Sequence, residues 1–394
     1  MTAFRGPATA VTAAVLATGV LAGCGSTRAS SPARLAAPVT PSQATSAGFP
    51  GGTFAVLVMG GSAAEHNNFW QVFVRPAGRQ AVWRLATPLG VASNGGIAVV
   101  ATGGPSLEAA LRPSQSLQFS PLARSTDNGA NWVQDGLLDE PLAASPSALA
   151  ASPAGGLIAL TKTGTVEVST RPGGSWARLA SEDSVAGSTA ARSCGLTGLT
   201  SAGYSSSGTV LLAGGCSRGG HAGIFAREAG GGWVAAGPTL PAALAGRPVD
   251  VLQLARAGDA DVALLLVGTG RTASLLGAWS SSDGSNWRLS QPYRLDGARP
   301  QSAAVAGQAL GILLDGGQAV TVAGPGTSWQ ALPTLPAGTA ALAAGSATLA
   351  AAPDGGFQLL TGRGTQLSVW THPAGGGWSR SQIIHVSIPY GSSG

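Results

Sequence analysis

The sequence predicts an all-β fold built from repeated four-stranded antiparallel sheets, and three observations support this prediction. Tryptophan recurs at intervals of 42 to 57 residues between positions 83 and 378. Turn-forming clusters such as Asp127–Gly129, Pro172–Gly174 and Gly230–Gly232 precede these tryptophans. Glycine accounts for 60 of the 394 residues, and only 10% of the residues are charged. Such a composition is typical of short apolar strands joined by tight turns.

Seven tryptophans define seven repeats, and the repeats give the number of sheets. They are Trp83, Trp132, Trp176, Trp233, Trp287, Trp329 and Trp378. A period of 40–50 residues with strands inside each repeat is typical of propeller blades, because one blade cannot bury both of its faces alone. We therefore predict a seven-bladed β-propeller of four-stranded antiparallel blades over residues 51–394.

The third repeat shows the pattern inside a blade most clearly. Its apolar and β-branched segments, separated by turn residues, predict an inner strand at Ser147–Ser152 and a second at Leu157–Thr163. A third strand is predicted at Val166–Arg171 and an outer strand at Ser175–Ala180. Each blade is therefore expected to run from the centre of the fold outwards.

The first and last repeats predict how the ring closes. Only three strands can be assigned in the first repeat, near Thr53–Met59, Gln71–Arg75 and Val82–Ala86, and none precedes them. The last repeat continues beyond its tryptophan into Ile383–Pro389. We therefore expect this C-terminal strand to complete the first blade and close the ring, which would leave no free sheet edges.

The N-terminal residues have the pattern of a bacterial export signal. Arg5 precedes the apolar stretch Pro7–Gly23, which is too short for a membrane-spanning helix but has the length of a secretory signal. The stretch ends in Leu21–Cys24 (LAGC), which resembles the lipobox of bacterial lipoproteins. This resemblance implies a signal peptide at 1–23, diacylglycerol on Cys24 and a membrane-anchored, extracytoplasmic protein. An ordinary cleaved signal with an unmodified Cys24 is the alternative.

Residues 24–50 have the composition of a linker. They are rich in Ser, Pro and Ala, they contain two charges, Arg28 and Arg34, and they show no apolar periodicity. A flexible chain of this length spans about 25–30 Å. We therefore expect a tether that holds the folded domain away from the lipid headgroups.

One turn sequence suggests a family. Ser125–Trp132 (STDNGANW) is similar to the S-x-D-x-G-x-x-W Asp-box, or BNR repeat, of sialidase-like propellers, with Asp127 at the acidic position. A second string, Ser281–Trp287, is one residue shorter between Asp and Trp. The resemblance implies a propeller fold in which this box braces a hairpin outside the active centre, so Asp127 is expected to be structural.

Catalytic side chains are scarce. The same resemblance implies that a sialidase would need an Arg triad, a Tyr nucleophile activated by Glu, and an Asp acid. The sequence has only Tyr204, Tyr293 and Tyr390 as tyrosines and lacks the Arg-Ile-Pro element of such enzymes. We therefore expect a non-enzymatic binding or scaffold module. Two alternatives stay open: a divergent sialidase-like enzyme that acts on glycans, and an assembly factor for a membrane complex.

No pattern in the sequence indicates a cofactor or a metal ion. The four histidines, at positions 66, 221, 372 and 385, do not have the spacing of metal ligands. Gly268–Ala273 matches the dinucleotide fingerprint G-x-G-x-x-A, but strand-like spacing follows it where a helix is required.

Cysteine and charge give the remaining expectations. Cys194 and Cys216 are the only cysteines after Cys24, and two thiols in an exported domain predict a disulfide, with two buried free thiols as the alternative. The net charge of +5 is scattered without a basic run, so nucleic acid is not an expected partner. We expect a monomer that binds the membrane through Cys24 and a protein or glycan partner on one propeller face.

Overall fold

A computed structural model describes residues 44–60, 68–88, 96–111, 120–135, 146–257, 259–282, 284, 286–335, 345–352, 356–373 and 376–387. The chain divides into the units Met1–Ala33 and Arg34–Gly394, and every described residue lies in the second. The signal peptide, Cys24 and Asp283 therefore lie outside the described residues. Within the described ranges, no helix is long and apolar enough to cross a membrane.

The described strands form antiparallel groups of four, here called units 1 to 7. Unit 1 contains β1 (Thr45–Phe49), β2 (Gly52–Gly60), β3 (Asn68–Pro76) and β4 (Arg84–Leu85). Unit 2 contains β5 (Ile97–Gly103), β6 (Ser106–Leu111), β7 (Leu122–Ser125) and β8 (Val133–Asp135). Unit 3 contains β9 (Pro146–Ala151), β10 (Leu157–Thr161), β11 (Thr165–Ser169) and β12 (Ala177–Ser181). The four strands predicted for the third repeat match unit 3 to within two residues.

Two short helices, α1 (Glu182–Ala186) and α2 (Thr189–Cys194), connect units 3 and 4. Unit 4 contains β13 (Leu196–Tyr204), β14 (Val210–Cys216), β15 (Gly223–Arg227) and β16 (Trp233–Ala235). Unit 5 contains β17 (Val249–Ala257), β18 (Ala260–Val267), β19 (Ser274–Ser280) and β20 (Trp287–Leu289), and β21 (Tyr293–Arg294) also pairs with β19. Unit 6 contains β22 (Pro300–Ala306), β23 (Ala309–Leu314), β24 (Ala319–Val322) and β25 (Gln330–Ala331). Unit 7 contains β26 (Ala347–Ala351), β27 (Phe357–Arg363), β28 (Gln366–His372) and β29 (Ser379–His385).

The first strand of unit 1 differs from the sequence prediction. β1 lies within residues 24–50, which were predicted to be tether, and it pairs with β2 from Thr45 opposite Val56 to Phe49 opposite Gly52. It also pairs in parallel with β22, where Ser46 faces Ala304. Ser46 is 1% exposed, and its hydroxyl donates a hydrogen bond to the carbonyl of Leu349. Long-range pairing thus fixes this strand, which local composition does not reveal.

The last strand corrects the predicted ring closure. β29 pairs with β28 of its own unit, from Gln366 opposite His385 to Thr371 opposite Ser379. The described part of the segment Ile383–Pro389 therefore completes unit 7, and the expectation that it completes the first blade is wrong. The physical reason is that β1 already occupies the inner position of unit 1.

Units 1 and 7 nevertheless contact each other through side chains, at what we call the junction. Arg75, 6% exposed, donates to Gln358 Oε1 and to the carbonyl of Ala351, at 3.2 and 3.1 Å. The indole of Trp83 donates to the same Gln358 oxygen at 2.8 Å. The side-chain amide of Gln382 accepts from the Trp83 N–H at 2.9 Å and donates to the Trp83 carbonyl at 2.6 Å.

The hydrophobic core is divided into clusters that lie between neighbouring units. Phe54, Val56 and Val72 of unit 1 pack against Ile97 and Leu107 of unit 2. The same arrangement recurs along the chain, and Leu57, Met59 and Phe73 of unit 1 pack against Leu360 and Val369 of unit 7. Because apolar faces are buried between units, no unit is stable alone.

The repeated tryptophans explain part of this packing. Five indoles donate a hydrogen bond to another unit: Trp132 to the Ala86 carbonyl (2.7 Å), Trp287 to the Ala236 carbonyl (2.7 Å), Trp329 to Ser290 Oγ (3.1 Å), Trp378 to the Pro333 carbonyl (3.0 Å) and Trp83 to Gln358. Trp176 packs beside a cluster between units 2 and 3. The Arg227 guanidinium lies 5.9 Å from the centre of the Trp233 ring. The tryptophan repeat therefore marks contacts between units.

Helices α1 and α2 were not predicted. Ser181 and Ser188 cap their N-termini, each accepting from a backbone N–H three residues on, and Gly195 ends α2 with φ 64°. Cys194, the last residue of α2, forms a disulfide with Cys216 at the end of β14, and their Cα atoms lie 5.2 Å apart. The bridge therefore fastens the α1–α2 insertion to unit 4.

Candidate functional site

The strands nearest the centre surround a cavity of about 640 Å³. The carboxyl halves of six inner strands line it: β1, β5, β9, β13, β17 and β22. The cavity therefore lies at the end of the fold where these strands finish, which we call the cavity face. Its size falls within the range of small-molecule and peptide sites.

The wall of the cavity combines apolar residues with several polar ones, among them Thr45, Thr102 and Ser201. Phe49 and Phe54 form a tilted aromatic pair at one side, with ring centroids 6.2 Å apart. Leu149, Val100 and Leu254 are among the aliphatic residues that line it. Between them lie small residues from each strand, which keep the centre open. An apolar group can therefore replace water in this cavity at a gain in free energy.

Gln253 supplies a buried polar atom in this wall. The register of β17 slips between Val251 and Gln253. Leu252 packs into the core between units 5 and 6, and both Leu252 and Gln253 are among the residues that line the cavity. Gln253 Oε1 is buried and accepts no hydrogen bond from the described residues. Because an unsatisfied buried acceptor costs free energy, a rotation of the Gln253 side chain that turns this oxygen towards a ligand N–H or O–H would be favourable.

Tyr204 lines the cavity as well, but its hydroxyl is already engaged. It donates to the Leu157 carbonyl at 3.0 Å. Burial raises the pKa of Tyr204 to about 12, so the phenol stays protonated at neutral pH. Its hydroxyl is therefore poorly suited to act as a nucleophile.

Arg256 is the only charged residue among the described lining residues, and it lies exposed at the cavity mouth. It is paired in the β17–β18 register with Asp261, which is 2% exposed. Burial raises the pKa of Asp261 from 3.8 to about 6, although Arg256 and hydrogen bonds from Ser206 and Ser280 act to lower it. Neither Asp nor Glu lines the described cavity wall.

The predicted Asp127 turn lies on the same face but outside the cavity. Asp127 accepts from the Asn131 backbone N–H at 2.9 Å, from the Asn131 side chain at 2.6 Å and from Ser125 Oγ at 2.8 Å. These bonds lower the pKa of Asp127 to about 2. Ser125 Oγ also accepts from the Gly129 N–H at 2.8 Å. The carboxylate therefore closes a hairpin and faces no ligand site.

The structure brings none of the predicted site residues into the described cavity wall. The tryptophans lie near the outer strands, and Cys194 and Cys216 lie at the opposite end of β13 and β14. Sequence reasoning missed Gln253 and the two phenylalanines. A polar residue inside the apolar strand Val249–Ala257 was the available signal for Gln253. In the described part of the chain, no three His, Cys, Asp or Glu side chains are grouped so that they could hold a metal ion.

The strand groups and the central cavity define an all-β protein of the propeller type. No protein-family model matches the sequence, and no curated protein matches it significantly. Solved structures do resemble it in fold.

YCF48 bound to a D1 peptide is 16% identical, with a TM-score of 0.48 over 85% of this chain and 94% of that chain. The periplasmic gluconolactonase PpgL of Pseudomonas aeruginosa is 16% identical, with a TM-score of 0.49 over 85% and 97%. SapL1 lectin in complex with alpha methyl fucoside is 16% identical, with a TM-score of 0.40 over 75% and 97%. At these values the likeness gives no information about ligand or activity.

Proposed function

We propose that this protein is a lipid-anchored, non-enzymatic binding module whose central cavity accepts an apolar group of a partner molecule. In this proposal the seven units are the blades of a closed ring, and side-chain contacts at the junction of units 1 and 7 close it. Cys24 bears the lipid, and the module faces the extracytoplasmic side of a bacterial membrane.

The composition of the cavity wall supports binding without catalysis. Hydrolysis of a glycoside requires two carboxyl groups placed on either side of the bond. The described wall contains no carboxylate, and the hydroxyl of Tyr204 is occupied by the Leu157 carbonyl. The cavity therefore lacks the groups that would protonate a leaving group or attack the substrate.

The same wall favours a protein partner over a glycan. Thr45, Thr102, Ser152 and Ser201 add polar groups to the wall, but its aliphatic and aromatic residues offer surface that the hydroxyls of a sugar do not match. Gln253 Oε1 offers one acceptor to a donor group. An apolar peptide side chain with a neighbouring backbone N–H has this chemistry, so we propose a peptide segment as the natural occupant.

A fluorescent probe tests whether the cavity binds such groups. N-phenyl-1-naphthylamine is neutral and apolar and has one N–H donor. Its emission should increase and saturate as it is titrated into the protein. Substitution Gly48→Trp should weaken this binding about tenfold or more, because Gly48 lines the cavity and a Cβ there meets no atom within 4 Å. The new indole would therefore occupy the cavity without disturbing the backbone.

Gly230→Trp is the matched control, because Gly230 also has open space around its Cβ position but lies in the β15–β16 turn outside the cavity. This variant should bind the probe as the parent protein does. Equal binding by the parent and both variants would refute the cavity as the binding site. Turnover of a fluorogenic sialoside by the parent protein would refute the non-enzymatic assignment.

A further inference from the structure

Four arginines form a continuous positively charged strip at the end of the fold opposite the cavity. Arg192 lies in α2, Arg218 follows β14, Arg247 precedes β17 and Arg271 follows β18, and all four are exposed. We call this strip the arginine ridge. It lies outside the cavity, and nothing in the sequence reasoning identified it.

The strand register places the ridge at one end of units 4 and 5. Leu196 at the start of β13 faces Cys216 at the end of β14, and Cys216 faces Val249 at the start of β17. Val249 in turn faces Val267 at the end of β18. Each arginine of the ridge lies within four residues of one of these paired positions, so all four lie at the end where the inner strands begin.

Hydrogen bonds from guanidinium groups to backbone carbonyls, and one close backbone contact, connect the segments that carry the ridge arginines. The Arg218 guanidinium donates to the Arg192 carbonyl at 3.4 Å, and the Arg247 guanidinium donates to the Thr272 carbonyl at 3.3 Å. The backbone of Gly219 packs so closely on that of Arg247 that a Cβ at position 219 would lie 2.4 Å from its carbonyl oxygen. The ridge is therefore a connected surface.

Three acids of the α1–α2 insertion and of β17 lie near the ridge: Glu182, Asp183 and Asp250. Glu182 accepts from the Leu199 N–H at 3.0 Å, and Asp250 is 1% exposed. Asp183 is exposed in α1 and is the one solvent-facing acid in the α1–α2 insertion. After β20 in the same unit as Arg271, Arg294 forms an ion pair with Asp296 at 3.1 Å.

The chain enters the domain at this same end. β1 runs parallel to β22, and Ala44, the first described residue, lies immediately before it. The described part of the chain therefore begins on the face that bears the ridge. A domain tethered from this face can place the ridge against the membrane that holds the anchor.

We infer that the arginine ridge binds anionic phospholipid headgroups and that the anchored domain presents its cavity face away from the membrane. Arginine is suited to this role because its guanidinium forms paired hydrogen bonds with phosphate oxygens. Anionic lipid attracts each basic residue close to the surface, and the attraction decays within a Debye length. The inference rests on the proposed anchor for its geometry, but the ridge itself can be tested separately.

Arginine modification by phenylglyoxal, measured residue by residue by mass spectrometry, tests the inference. The acylated full-length mature protein is mixed with vesicles of phosphatidylcholine or of equal parts phosphatidylcholine and phosphatidylglycerol. On the anionic vesicles, modification of the ridge arginines should slow about fivefold. Addition of 0.5 M NaCl should abolish this protection, because the Debye length is then about 4 Å. Arg79 and Arg171 are exposed on the cavity face and serve as internal controls that should react equally on both vesicles.

The outcomes separate the ridge from the anchor. The protein could sediment with both vesicle types while the ridge arginines react at the same rate on both. That result would support the anchor and overturn the inference about the ridge. Protection of the ridge on anionic vesicles without sedimentation on phosphatidylcholine would support the ridge and refute the anchor. Protection of Arg79 and Arg171 in place of the ridge would reverse the orientation and overturn the inference.

Discussion

Removal of the Gln382 side chain should measure how strongly units 1 and 7 hold together. The amide of Gln382 makes two hydrogen bonds to the backbone of Trp83, at 2.9 and 2.6 Å. A net hydrogen bond contributes about 0.5–1.5 kcal/mol, and a partly buried backbone group left without its partner adds to the loss. We therefore expect Gln382→Ala to lower the free energy of unfolding by about 2–3 kcal/mol, which for a domain of this size lowers Tm by about 2–4 °C.

Differential scanning calorimetry measures this change, and Gln330→Ala is the matched control. Gln330 is an exposed glutamine in the outer strand of unit 6. Its replacement should change the free energy of unfolding by less than about 0.5 kcal/mol. If both variants melt within experimental error of the parent protein, the junction does not contribute to stability and the reasoning about ring closure is incorrect.

Three further predictions concern single groups. Burial raises the pKa of Asp261 to about 6, so its stabilising contribution is complete below about pH 3.8 and is lost as the pH rises through 6. At pH 7.5, Asp261→Asn should therefore raise Tm and increase the free energy of unfolding by at most about 3 kcal/mol. Near pH 3.5 the substitution should leave Tm unchanged. Asp127→Ala should destabilise by about 1–2 kcal/mol through its lost hydrogen bonds, whereas Thr126→Ala, at an exposed neighbour, should not. Mass spectrometry of native protein should find Cys194 and Cys216 resistant to alkylation until reductant is added, and two reactive thiols before reduction would contradict the disulfide.

The strands could be predicted from sequence where apolar residues and turns alternate locally. The third repeat is the best example, because Leu157–Thr161 and the segments around it are separated by glycine turns at Gly156 and Gly164. The tryptophan spacing likewise located the units, since the indoles bridge them. Local pattern thus suffices when a strand and its partners are close in sequence.

Prediction failed where a contact depends on distant residues. β1 contains Ser46, Ala47 and Gly48, which have no apolar alternation, and its partners in unit 6 determine its position. The cavity could not be predicted for a related reason. The register of β17 slips by one residue next to Gln253, and periodicity alone does not show where such a slip occurs.

The position of β1 also has a consequence for biogenesis. Its Ser46 bonds to Leu349, which is 303 positions further along the chain. β1 can pair with β2 as soon as both are synthesised, but its contacts with β22 and Leu349 form only after almost the whole polypeptide has been made. Contacts with such large sequence separation form slowly, so a truncated chain would leave one edge of this strand open to incorrect pairing.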